Sequence, residues 1–401
     1  MAEPNRAFYV TLVLVISLSV IAIDSLIPAI PLMIEAYGAD PGLGQLTVGL
    51  YLGGYALGQI PVGLAADRFG RLPILYAGMI LFTLASLATV LAPTMEVLLV
   101  ARFLQGLAGT VGPVLARAIA RDTHSGIRLA HIMAVLVTAL AAGAMVAPIF
   151  GTVLVQLIGW QAPLVLNVLV GVVTLVLMVL YLPETHTPQR DLHPWQQCKT
   201  SLGRFLETPQ AVWGTLLVGA TFFAYFSIAT GLGSVLVDYY GFSPNLVGWG
   251  FAFAVAFYMA SAQSGRFLVR RFDKLRLIYW GSIFYGLAVL IGAAALFNVS
   301  RGNPLPLFWM GLTIVVYLLG MGLIFANASA ITLDPIPDIA GFGASLLGTV
   351  QMGLGTLGAT LTAVFYQHSP TSLLGVMVTG ALMSFGLIIV QRRRRFVLAD
   401  T

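Results

Sequence analysis

The sequence predicts an all-α membrane protein of twelve spanning helices, arranged as two pseudo-symmetric six-helix bundles. Three observations carry that prediction. Only 9% of the 401 residues are Asp, Glu, Lys or Arg while 59% are hydrophobic, too few charges to cover a soluble surface. A bilayer's hydrocarbon is about 30 Å thick, so a spanning helix needs roughly 20 mostly apolar residues; twelve such runs fit and use up most of the chain. The third observation is a repeat. The stretch Gly63-Leu-Ala-Ala-Asp67-Arg68-Phe69-Gly70-Arg71 crowds charges into a break so short that only a hairpin between antiparallel helices fits. One fixed offset lays Arg68, Phe69, Arg71, Leu72, Tyr76 and Gly78 over Arg271, Phe272, Lys274, Leu275, Tyr279 and Gly281. A duplicated helix pair requires such a match.

Helix 1 is expected from Phe8 to Glu35, carrying Asp24, Pro28 and Pro31. Its one preceding cation and the eleven spans that follow favour a first helix over a cleaved leader. Helix 2, Gly44 to Ala66, is ridged by Gly49/Gly53 and Gly54/Gly58, spacings that let a neighbouring helix come close. Helix 3 covers Leu72 to Ala92, and helix 4, Thr94 to Ala120, carries Arg102, Gln105 and Gly106. A charged turn, Arg121 to Arg128, leads into helix 5, Leu129 to Ile158, with Gly143, Pro148 and Gly151; helix 6 ends near Leu182. Pro183 to Pro209 is the longest polar stretch and reads as the linker, dividing the chain into bundles 1–182 and 210–401 around a linker 183–209. Six more helices follow at Ala211–Val237, Pro244–Val269, Leu275–Phe297, Pro304–Thr332, Gly341–Tyr366 and Thr371–Val390. The chain then reaches the basic cluster Arg392 to Arg395, which suits anionic head groups.

Of the twenty Lys and Arg, all but Arg102 and Arg301 fall in or beside segments assigned to one face, which places both termini in the cytoplasm. That distribution, and not nucleic acid, accounts for the net charge of +5. The single Cys198 rules out an intramolecular disulfide, the five histidines lie at loops and helix ends without metal spacing, and no phosphate-cradling Gly-x-x-x-x-Gly-Lys appears. No cofactor is expected. A polytopic membrane enzyme would need a clustered acid or histidine set that the sequence lacks.

Charges inside the spans point to function. A carboxylate in hydrocarbon costs at least a few kcal/mol unless it is neutral, paired or facing water. At 1.5 Å per residue, Asp24 lies about 24 Å along helix 1 from Phe8, and Arg102 about 12 Å into helix 4 from the opposite face. The two come out at similar depth, so an ion pair is expected. One reading is a fixed staple between helices 1 and 4; the other is a carboxylate whose proton affinity changes as its surroundings turn from wet to dry. In the loop, Asp67 can sit at a helix N-terminus. Arg68 and Arg71 can then reach acids of the opposite bundle, forming a latch on the cytoplasmic side, unless the turn is merely solvated. Pro148 removes a backbone donor and permits a bend. Asn327 and Gln351 face either a cavity or a buried structural hydrogen bond.

These residues resemble the major facilitator superfamily over essentially the whole chain. Gly63, Asp67, Arg68, Gly70 and Arg71 resemble its loop 2–3 signature, and Arg102-Phe-Leu-Gln105-Gly106 its helix-4 signature, whose arginine is linked to proton coupling. Gly143-Ala-Met-Val-Ala147-Pro148-Ile-Phe-Gly151 is similar to the helix-5 motif of antiporters, with Ala147 and Thr152 where that motif has glycine. Ile23-Asp24-Ser-Leu-Ile-Pro28 and the Asn327 to Ser345 stretch resemble the bicyclomycin and chloramphenicol resistance branch, with Ser25 and Leu26 where that branch has Met and Tyr. The resemblance implies a monomeric, proton-driven exporter of small organic molecules or drugs in a bacterial inner membrane, with Asp24 and Arg102 in proton coupling. It implies a cavity lined by Tyr51, Tyr55, Gln105, Tyr225, Phe226 and Asn327. Two alternatives stay open: export of an endogenous metabolite or siderophore, and uptake by symport.

Overall fold

The computed structural model describes residues 6–187 and 194–394; Arg190, Asp191 and His193 of the expected linker and Arg395 of the basic cluster lie outside them. The described chain is helical throughout, without strands. Helix 1 is not continuous. It runs as α1 (Arg6–Asp24), a 3-10 turn (Ile27–Ala29) and α2 (Ile30–Tyr37). Pro28 cannot donate to the Asp24 carbonyl, nor Pro31 to that of Ile27, so the α ladder stops where two prolines remove two donors within four residues.

Next come α3 (Pro41–Phe69) and α4 (Arg71–Val90), and helix 4 also divides, into α5 (Met95–Gly109) and α6 (Val111–Thr123). Pro113 leaves the Gly109 carbonyl without its helical donor. The Ser19 hydroxyl supplies the missing hydrogen bond from α1 at 2.7 Å. α7 (Gly126–Leu157) stays continuous through the buried Pro148, and α8 (Ala162–Tyr181) follows.

The polar stretch after helix 6 holds an unforeseen helix, α9 (Pro194–Leu206), tied down by Phe205 against Ala211 and Ile336 and by Arg204 pairing with Asp338 at 2.5 Å. The second group comprises α10 (Pro209–Ser234) with a π turn (Val235–Tyr239), α11 (Val247–Leu268), α12 (Lys274–Ser300), α13 (Leu307–Leu333), α14 (Ala340–Val364) and α15 (Thr371–Arg394). Among the described residues, ten helical stretches are long and apolar enough to cross a bilayer. α11 and α14 fall outside those ten. α14 is rich in Gly and Thr because it is packed between α3 and α10, where close backbone approach replaces contact with lipid.

Packing within each group is dense, α3–α5 and α4–α8 in the first, α10–α15 and α12–α13 in the second. The groups meet mainly along α3–α14 and α7–α11. The glycine ridges of α3 explain how one helix serves both purposes. A Cβ at Gly54 would lie 2.1 Å from the Phe103 carbonyl of α5, whereas one at Gly49 or Gly53 would meet Thr360 or Thr356 of α14 at 3.4 Å.

Candidate functional site

The break in helix 1 puts Asp24 at the C-terminal end of α1, 7% exposed, within Coulombic reach of Tyr51 on α3 and Tyr225 on α10. Asp24 is thus buried just before the 3-10 turn that packs on α10 of the other helix group. The expected ion pair with Arg102 is not formed. The fully buried guanidinium donates from Nε to the Thr47 carbonyl and from Nη1 to the Ala22 carbonyl, each at 3.2 Å, and from Nη1 to Gln105 Oε1 at 2.6 Å. It lies 4.5 Å from the centre of the Tyr51 ring. Desolvating a cation costs several kcal/mol; charge-assisted bonds and the ring face offset part of it, while Nη2 is buried without a hydrogen-bond partner among the described residues. Depth along a helix axis matched Arg102 to Asp24, but azimuth sends the guanidinium to carbonyls. Gln105 donates its Nε2 to Ser86 Oγ at 2.7 Å, so both ends of its amide are occupied and it reaches no cavity.

The remaining aromatic and polar positions divide. Tyr51 is fully buried and stacked on Tyr55 at 6.5 Å, inside the first helix group. Tyr225 joins Phe222, Phe226 and Phe325 in a cluster of edge and tilted contacts on α10 and α13. Phe226 turns from the cleft into α14, where Gly355 leaves it room. Asn327 is buried and donates its Nδ2 to the Leu323 carbonyl at 2.7 Å, the structural hydrogen bond that the sequence had left open; Gln351 is buried on α14.

α7 closes the end of the cleft near Asp24. A Cβ at Gly151 would fall 2.1 Å from the Ser25 carbonyl, so α7 lies directly on the helix-1 break. Across the groups, a Cβ at Gly248 of α11 would lie 1.7 Å from Thr152 Oγ1. That hydroxyl is held by the Pro148 carbonyl at 2.8 Å. Gly143 makes only ordinary contact with Val20.

At the opposite end, Gly63 faces Ser345 of α14 across a cavity of 630 Å³ that Gln59, Arg117, Arg121, Gln197 and Gly341 also line. The latch expected to reach across this cleft is satisfied locally instead. Arg71 pairs with Asp67 at 2.5 Å and through Nε with Asp122 at 2.8 Å, both in its own helix group, while Arg68 lies over the Phe69 ring. Two residues of this network were missed. Asp122 sits beside Arg121 in the charged turn already noted. Glu184 sits just beyond α8, and its carboxylate accepts from the backbone N–H of Arg71 at 3.1 Å and of Leu72 at 3.0 Å, capping α4. Burial pushes this carboxyl up, but the N–H groups of His186, Leu72, Arg71 and Thr185 outweigh it and hold it below its ordinary range. Gly70 makes the cap feasible, with φ 101° and a missing Cβ that would meet Glu184 Oε2 at 2.7 Å. The second group mirrors the pair, Lys274 meeting Asp334 at 2.5 Å.

Residues 12–360 match the family model of the Major Facilitator Superfamily. The chain belongs to that superfamily. Among superfamily relatives, it is 29% identical to Multidrug resistance protein D of Escherichia coli, covering 97% of this chain and 95% of that protein. It is 25% identical to the Bicyclomycin resistance protein homolog of Haemophilus influenzae, covering 92% of each. A solved bacterial homolog of the human lysosomal transporter Spinster, in an inward-facing and occupied conformation, superposes with a TM-score of 0.74 at 17% identity over both full chains. A D-xylose-proton symporter superposes at 0.70 and 13% identity, over 96% of this chain and 97% of its own; both show the fold alone. The protein is thus a superfamily transporter, a multi-pass membrane protein that acts on small molecules.

Proposed function

We propose that this transporter exports small organic molecules, drugs among them, in exchange for protons across a bacterial inner membrane, as a monomer with both termini in the cytoplasm. The bundles 1–182 and 210–401 rock about the α3–α14 and α7–α11 seams, joined by the linker 183–209. Asp24 takes a proton when its side of the cleft opens outward and releases cargo; it loses that proton facing inward, where cargo loads. Arg102, held by carbonyls and Tyr51, positions the Asp24 region through its bond to Ala22 and fixes the local charge.

The observation that carries this reading is Asp24 itself. It is a buried carboxylate at a helix break, without an ion-pair partner among the described residues, within reach of Tyr225 from the other helix group. A group so placed changes hydration when the halves separate, and hydration sets proton affinity. The departures at Ser25 and Leu26 do not weaken the drug-export reading. Leu26 is fully buried in an apolar cluster with Met33, Leu98 and Leu99, and Ser25 is fully buried where its carbonyl meets α7, so neither side chain forms a cavity wall. The names of the relatives point the same way.

The test is drug-dependent proton release in proteoliposomes with Asp24→Asn beside the unaltered protein. The variant is expected to bind and equilibrate cargo but not to move it uphill. Retained uphill transport by the variant would overturn the assignment.

A further inference from the structure

At the Asp24 end the α3–α14 seam is shut, and its packing encloses an amide with nothing to bond. A Cβ at Gly42, in the first turn of α3, would lie 2.8 Å from the Ala363 carbonyl in the last turn of α14, and one at Gly49 would meet Thr360 at 3.4 Å. Gln45 stands three residues after Gly42 and four before Gly49, on the face of α3 that they share. It is fully buried. Neither its Nε2 nor its Oε1 has a hydrogen-bond partner among the described residues. Hydroxyls of the facing helix are engaged within that helix, Thr362 donating to the Gly358 carbonyl at 2.9 Å and Thr356 to that of Met352 at 2.8 Å. The other seam repeats the pattern. Ser25 is fully buried beneath α7 with its Oγ also unpartnered, and the 3-10 turn just beyond it packs on α10 and α11 of the other group. At the Asp67 end the α3–α14 seam stands open, with Gln59 and Gly63 of α3 and Gly341 and Ser345 of α14 bordering the 630 Å³ cavity.

Resting on the rocking about the α3–α14 seam proposed above, we infer that Gln45 biases the conformational equilibrium: its unpaired amide disfavours the shut Asp24 end and draws the transporter toward the outward-open arrangement. A buried polar group without a partner raises the free energy of the arrangement that buries it, and water satisfies the same group once it is uncovered. Parting the seam at the Asp24 end therefore relieves Gln45, and shutting it restores the cost. Close glycine packing acts in the opposite direction, because the dispersion contacts of α3 on α14 are lost as the helices separate. Alternation requires two arrangements of comparable free energy. An apolar side chain of the same length at position 45 would add contacts without that cost and would hold the Asp24 end closed. Ser25 acts in the same sense at the second seam, with one hydroxyl where Gln45 has a donor pair and an acceptor.

The test uses the full chain in lipid nanodiscs, without cargo and at fixed pH, in a Cys198→Ser background that carries Ala359→Cys as its single thiol. Ala359 is fully buried where α14 meets Gly49, so a water-soluble maleimide labels that position only when the seam parts, and the labelling rate reads the open population however small it is. Gln45→Met keeps the length of the side chain and removes the amide. It is expected to slow labelling about fivefold, the low end of the effect of one unpaired buried group, and to leave the melting temperature unchanged or higher. Gln45→Asn, which keeps an amide, should slow labelling less than Gln45→Met. A Ser345→Cys thiol at the open Asp67 end should not be slowed by Gln45→Met. Unchanged or faster labelling of Ala359→Cys in Gln45→Met would overturn the assignment, and so would a lower melting temperature, which would mean that the amide is bonded in the shut form. The same slowing is expected when Gln45→Met is added to Asp24→Asn, so this inference and the proton-exchange reading fail separately.

Discussion

Replacing Gly70 with Ala adds one carbon where the structure leaves space for none. Gly70 has φ 101° and ψ 159°, a backbone region open in practice to glycine alone. Holding alanine there costs about 1–3 kcal/mol. The new Cβ would also lie 2.7 Å from Glu184 Oε2, so the carboxylate must withdraw from the Arg71 and Leu72 N–H groups that it caps. Glu184 is exposed, and solvent screens those two bonds to the low end of their range, about 0.5 kcal/mol each. The expected loss is therefore roughly 2–4 kcal/mol, most of it backbone strain. Equilibrium unfolding in mixed micelles reads it, with Glu184→Ala as comparator because that variant loses only the capping part, about 1 kcal/mol. If Gly70→Ala proves no less stable than Glu184→Ala, the backbone argument fails.

The same loop predicts an asymmetry between Arg71 and Lys274, the cations that the internal repeat aligns. Arg71, with a side chain only 10% exposed, separates two acids, and Arg71→Ala should cost about 3 kcal/mol by leaving Asp67 and Asp122 facing one another. Lys274, 38% exposed, should cost less than about 1 kcal/mol when truncated, and equal losses in the same unfolding assay would contradict this. Because the folded Glu184 carboxyl sits below its ordinary value of 4.5, the stability it adds is complete above that pH and drains away as pH falls through the lower folded value. Melting temperature against pH should show that acid limb, flattened in Glu184→Gln. Gly248→Val should force α11 away from Thr152 and Pro28, which lie 1.7 and 2.9 Å from the added Cβ, at an overpacking cost of about 1–3 kcal/mol. Thiol labelling of Ser25→Cys in a Cys198→Ser background should then rise, and unchanged labelling would show that the α7–α11 contact does not close that end.

Most of the fold could be read from the chain because hydrocarbon demands long apolar helices. The places where reading stopped are local and explicable. Helix 1 was expected whole, but Pro28 and Pro31 remove two donors within four residues, and helix 4 divides beside Pro113, whereas α7 runs on through Pro148. The helix α9 was hidden in a polar stretch, because its order comes from Phe205 docking on Ala211 and Ile336, residues distant in sequence. Arg102 and Asp24 were matched by depth alone, and depth carries no information about azimuth.

By itself the sequence determined the class of solvent this protein lives in, its build from long apolar helices, and which few charges lie where charge is costly. Those follow from composition and period, properties that each segment carries alone. Only the tertiary structure decided which partners the charges take: Arg102 held by carbonyls and Gln105, Arg71 by Asp67 and Asp122, Glu184 as the cap of α4, and Asp24 buried without an ion pair among the described residues. Partnership depends on rotation about each helix axis and on side chains brought together from distant turns, and packing, rather than local pattern, sets both.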